Sequence, residues 1–193
     1  MRTYLIVLLF LSFSLMAQEK VPFEFIPDPP AQVDSGNVIA RMVEGLGYRY
    51  HWATKDLRAE DLAYRPSEEA SSTLETLQHI YDLVQIILNA ATATPSQRPA
   101  INQPTSYEDL RLKTLNALYK AYQLYRGKSS AEVGAMKVIF DRGGEFYSFP
   151  VWNLLNGPLS DALYHTGQIV SFRRTSGNPI SKGVNVFIGK TKG

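Results

Sequence analysis

The feature that most narrows the fold is a pair of helical signatures in the middle of the chain. Ser72-Thr73-Leu74-Glu75 matches a capping box, in which a serine hydroxyl and a glutamate carboxylate each satisfy a free backbone amide at a helix start. From there Leu74, Leu77, Tyr81, Val84, Ile87 and Leu88 recur at helical spacing, and the pattern ends near Thr92, ahead of Pro95. A further helix opens at Ser106-Tyr107-Glu108-Asp109, carries Leu115, Leu118, Tyr119, Tyr122 and Tyr125 at the same spacing, and stops at Gly127. Two amphipathic helices of this length must bury their stripes against other elements.

The flanking segments supply those elements. Ile39, Met42, Val43, Leu46, Tyr50 and Ala53 follow helical spacing, with Asp34, Ser35 and Asn37 available as caps, although Gly45 and Gly47 weaken the pattern. Val151 to Thr175 can form a long final helix that starts at Pro150 and is closed by Gly177 and Pro179. Pro158 lacks a backbone donor and crowds the carbonyl of Leu154, so a kink or a fresh helix start is expected there. Met136–Phe140 and Glu145–Phe149, separated by Asp141-Arg142-Gly143-Gly144, read as a hairpin. Asp56–Ser71 and Pro95–Thr105 are polar, contain proline and read as loops; in the tail, Val184, Val186 and Phe187 suit a short docked strand. The expected fold is mainly α: an antiparallel four-helix bundle with a small β-hairpin between the third and fourth helices.

The N-terminal end has the layout of a secretory signal. Arg2 supplies the positive charge, Tyr4 to Met16 an apolar run, and Ala17 the small residue before a cut, so residues 1–17 are expected to be removed on export. Residues 18–33 contain four prolines and read as an extended leader to a domain spanning 34–193. No later stretch is apolar enough to span a membrane. The expected destination is periplasmic or extracellular. The absence of cysteine excludes a lipid-modified cysteine at the cut, a disulfide framework, thiolate ligands and a cysteine nucleophile. A net charge of +2 without a cluster of Lys or Arg argues against nucleic acid and for a small-molecule ligand.

The chain has three histidines, His51, His79 and His165. His79 shares a stripe with Leu83 and Ile86. Asp161, His165, Gln168 and Phe172 share one on the final helix, whose other sides carry apolar and small residues, so this helix reads as largely enclosed. Asp161 and His165, at i and i+4, project from one face about 6 Å apart and can reach one cation. With His79 they would form a site of two imidazoles and one carboxylate for a divalent metal such as Zn, Ni, Mn or Fe, with room for water or substrate. Gln168 and Tyr164 could hydrogen-bond such ligands. The same residues also admit a metal-free reading, with Asp161 capping backbone at the Pro158 kink and the histidines hydrogen-bonded in the core. His51 lies off the main stripe and reads as partly exposed, a weaker alternative ligand. No nucleophile elbow, phosphate loop or dinucleotide fingerprint is present.

The run Asp161-Ala162-Leu163-Tyr164-His165-Thr166-Gly167-Gln168-Ile169, with Leu77-Gln78-His79-Ile80, resembles the DinB-like superfamily of four-helix metal-binding proteins. The likeness extends through most of residues 35–190. Asp161 and His165 look like that family's pair of final-helix ligands followed by Gly-Gln, and His79 matches its ligand on the second helix. The family usually has histidine where this chain has Asp161, which changes site charge and ligand softness. The resemblance implies a metal-dependent enzyme, a hydrolase or transferase that activates a water or thiol, and it alone implies a homodimer. Export argues against thiol transfer from a cytoplasmic thiol. Many members have no assigned activity, so the competing expectation is a non-catalytic exported binding protein with a vestigial or absent metal site.

Overall fold

The computed structural model describes residues 21–192, so the expected signal sequence lies outside the described residues. The chain is mainly helical, with a small antiparallel hairpin. Helix α1 (Ser35–Thr54) starts at Asp34, whose carboxylate accepts the Asn37 amide at 2.7 Å. Helix α3 (Thr73–Thr92) starts with the expected capping box: the Ser72 amide donates to Glu75 at 2.8 Å, and the Glu75 amide to Ser72 Oγ at 3.2 Å. Helix α4 (Tyr107–Tyr125) starts from Ser106, and α7 (Ser160–Thr175) ends the helical order.

Helix α1 packs on α4 and α7, and α3 packs on the same two helices. Val43, Leu46 and Tyr50 of α1 meet Leu77, Ile80, Val84 and Ile87 of α3, Leu115, Leu118 and Tyr125 of α4, and Ala162 and Ile169 of α7 in one core. Each large apolar side chain enclosed there contributes about 1.5–3 kcal/mol. Met42 and Tyr119 satisfy the helical period yet remain 43% and 44% exposed, because period alone does not fix how wide the covered stripe is. Arg173, almost fully buried on α7, donates to the carbonyls of Trp52, Ala53 and Lys55 and so closes the C-terminal end of α1.

Several segments depart from expectation. Between Asp56 and Ser71 the chain forms a short helix, α2 (Ala59–Ala63), rather than a loop throughout. It is set by buried Asp61, which accepts from Arg58, Ser176 and Asn178. A second unanticipated helix, α5 (Ser130–Ala135), carries its own capping box from Ser129 and Glu132. The described part of the leader, 21–33, turns at 22–25 instead of running extended throughout, and it is not a detached connector: Phe23 and Ile26 are buried, and Phe23 lies against Gly47, where a β-carbon would stand 2.5 Å from the ring. Gly47 therefore serves close packing.

Strands β1 (Lys137–Arg142) and β2 (Glu145–Pro150) pair antiparallel and follow α5; β2 is exposed along its whole length. After a single turn, α6 (Trp152–Leu154), the chain passes through a π-helical segment (Leu155–Leu159) in which Gly157 leaves helical geometry beside Pro158. A new helix then starts, one of the two outcomes expected of that proline, and it puts Asp161 in the first turn of α7. In the tail, β3 (Val184–Asn185) and β4 (Lys190–Thr191) form a minimal hairpin held to the leader by the Ile26 amide and the Gly189 carbonyl. Phe187, expected to dock, is 95% exposed at its tip.

Candidate metal centre

Helices α3 and α7 bring His79, Asp161 and His165 together. His79 follows the capping box of α3 by one turn and is flanked by buried Ile80 and Leu83, which fix the rotation of the helix. The break at Gly157 and Pro158 sets where α7 begins, and one turn of that helix separates Asp161 from His165.

One candidate ligand atom from each residue falls within 4.8 Å of the other two. Asp161 Oδ2 lies 3.4 Å from His79 Nε2, and Asp161 Oδ1 lies 3.2 Å from His165 Nε2. The two rings meet edge to face, with centroids 4.6 Å apart. Ligands at about 2.0–2.1 Å around a tetrahedral ion stand about 3.3 Å from one another; each histidine lies at about that distance from a different oxygen of Asp161, while one ligand atom per residue spans up to 4.8 Å. These three residues could hold a metal ion.

The hydrogen-bonding state of the rings adds chemistry to the distances. Gln168 Oε1 accepts from His165 Nδ1 at 2.7 Å, while the Gln168 amide donates to the Tyr164 hydroxyl at 3.3 Å. With Nδ1 donating to Gln168, Nε2 is the ring nitrogen that faces the carboxylate oxygen. Two acceptors 3.2 Å apart repel unless a cation or a proton lies between them. The expected accessory roles of Gln168 and Tyr164 thus have a geometric basis. Tyr164 also packs its ring against His165 at 5.1 Å between centroids.

Helix α7 is less enclosed than its sequence implied. It touches its neighbours along Ala162, Thr166, Ile169 and Arg173, and leaves Tyr164, Gly167 and Ser171 exposed. The side chains of His79, Asp161 and His165 are 31%, 42% and 20% exposed, so the cluster is partly open to solvent. Asp161 faces both imidazoles and does not cap the kink, where Ser160 Oγ instead donates to the Leu155 carbonyl.

His51 is placed differently. It is buried, not partly exposed, and its Nδ1 donates to the Pro22 carbonyl at 2.8 Å, which ties α1 to the leader. Burial pushes its imidazole below the usual histidine pKa. It lies outside the His79–Asp161–His165 group.

One residue at the site has no signature in the sequence. Arg98, in the loop after α3, places Nη2 3.2 Å from His79 Nδ1. A loop arginine follows no period, and its approach depends on how the loop folds back over α3. Compared with family models, curated proteins and solved structures, the chain gives no match. Its functional reading therefore rests on the geometry of the His79–Asp161–His165 cluster.

Proposed function

We propose that His79, Asp161 and His165 bind one divalent ion, Zn, Ni, Mn or Fe, in an exported DinB-like four-helix bundle, and that the protein is a metal-dependent hydrolase or transferase. The observation that carries this reading is the convergence of one ligand atom from each of His79, Asp161 and His165 within 4.8 Å, with Gln168 accepting from His165 Nδ1 so that Nε2 is the ring nitrogen turned to Asp161. Pairwise packing of α1, α3, α4 and α7 supports the bundle. Arg2 and the apolar run ending at Met16 support export.

A divalent ion held by two imidazoles and one carboxylate supplies Lewis acidity to a substrate oxygen or a nucleophile. The chain's own groups define the rest of the site. Gln168 holds the His165 ring in the ligating tautomer, and Asp161 bridges α7 to α3. The exposed Tyr164 ring, packed against His165, offers an aromatic face beside the cluster against which a small molecule can be oriented.

The competing reading, a non-catalytic exported binding protein with a vestigial or absent metal site, is favoured by the Arg98 guanidinium at His79. Elemental analysis of tag-free protein, before and after chelation and after reconstitution with each ion, separates the two. One equivalent that is lost in His79→Ala and Asp161→Ala supports the metal centre and justifies a screen of hydrolytic and transfer substrates. No uptake after reconstitution supports the binding protein.

A further inference from the structure

The loop that carries Arg98 is pinned on both sides of it. Upstream, Ser96 is buried and bridges β1, donating its amide to Ile139 at 2.8 Å and accepting from Asp141 at 2.9 Å. The Gln97 side chain donates to Asp141 at 2.8 Å. Downstream, Asp82 of α3 accepts from the Ala100 amide at 2.8 Å and from Gln103 at 2.7 Å. The exposed guanidinium is thus delivered to His79 by anchored backbone.

A guanidinium has donors only and keeps its charge. Its approach to His79 Nδ1 requires that nitrogen to be the bare acceptor, so the neutral ring carries its proton on Nε2 and donates it to Asp161 Oδ2. This is the reverse of His165, whose Nδ1 carries the proton given to Gln168. Metal ligation through His79 Nε2 needs the proton moved to Nδ1, which then meets the donors of Arg98. Ligation through Nδ1 needs the lone pair that Arg98 already occupies. Either route displaces the guanidinium.

Resting on the metal-centre reading, we propose that Arg98 is a positioning residue that acts through His79: it locks the metal-free ring in the non-ligating tautomer and opposes metal entry, so that loading the site releases the arginine. Metal affinity is then set partly by a loop outside the ligand-bearing helices.

The test uses tag-free, metal-free protein and the variants Arg98→Ala and Arg98→Lys. Two-bond proton–nitrogen correlation spectra, at a pH above the histidine range, read the His79 tautomer directly. The parent and Arg98→Lys, which keeps a donor-only cation, should show the proton on Nε2, and Arg98→Ala should lose that preference. Competition titration with a chromophoric chelator should give Zn²⁺ binding about tenfold tighter in Arg98→Ala than in the parent, with Arg98→Lys close to the parent. An unchanged His79 tautomer in Arg98→Ala, or one equivalent bound with equal affinity by parent and Arg98→Ala, overturns the role of Arg98 alone. Zn²⁺ uptake by neither protein overturns the metal-centre reading and the antagonism with it.

Discussion

Gln168 lies one helical turn beyond His165 on α7, and its Oε1 accepts the Nδ1 proton of that ring at 2.7 Å. This contact fixes the ring orientation and leaves Nε2 as the nitrogen that faces Asp161. Replacing Gln168 with Leu keeps the volume and removes the acceptor. Metal affinity should fall by about 10- to 100-fold with helicity unchanged, as read by competition titration and far-ultraviolet circular dichroism. Parent-like affinity in Gln168→Leu would show that the contact does not orient the ring for binding.

Asp161 is the one acidic member of the cluster, and its side chain is 42% exposed. Its contacts with the two histidines are therefore well solvated, and Asp161→Ala should cost about 1 kcal/mol or less in the absence of metal. Metal stoichiometry should nevertheless drop from one equivalent to none. A large loss of stability in metal-free Asp161→Ala, measured by urea denaturation, would instead assign the residue a structural role.

Asp61 gives a pH-dependent prediction. Hydrogen bonds from the Arg58 guanidinium, opposed by burial and reinforced by Ser176 and Asn178, hold its carboxyl well below the usual carboxylate range. A depressed folded-state value contributes stability that is fully present above the unfolded value of about 3.9 and is lost as pH falls towards the folded value. Glu75, held at about 2 chiefly by Arg65 and the Ser72 amide, acts with the same sign. Asp61→Asn should cost about 2 kcal/mol near neutrality. The gap from the parent should narrow as urea titrations are moved below about pH 4, and a constant gap would contradict the assignment.

The leader is expected to be an energetic part of the fold. Besides burial of Phe23 against Gly47, the Trp52 indole donates to the Glu24 carbonyl at 3.2 Å and Arg41 donates to the Pro27 carbonyl at 3.1 Å. Phe23→Ala should destabilise by about 3 kcal/mol, raise amide exchange across residues 21–33 and shift Trp52 fluorescence. Parent-like exchange there would mean that the leader holds on without its aromatic anchor.

The legible parts of the molecule were those governed by neighbours in sequence. The capping box at Ser72, the start at Ser106 and the hairpin turn at Gly143-Gly144 are local hydrogen-bonding and backbone choices, and each sits where its residues imply. The same locality made the i, i+4 relation of Asp161 and His165 readable. What escaped was set by distant partners. Helix α2 depends on Asp61 meeting Ser176 and Asn178, more than a hundred residues away, and the docked leader depends on a ring finding Gly47. The expectation of an enclosed α7 failed because composition counts apolar residues without saying which of them a neighbour covers.

The sequence by itself determined the long helices, the break at Pro158 and the ligand types on α3 and α7, since period, caps and backbone chemistry act over a few residues. Only the tertiary structure decided that His79 meets the Asp161–His165 pair, that His51 does not, that the cluster is partly open to solvent, and that Arg98 faces the second ring nitrogen of His79. The physical reason is that convergence of side chains depends on helix rotation and loop path, which are fixed by packing across the whole core.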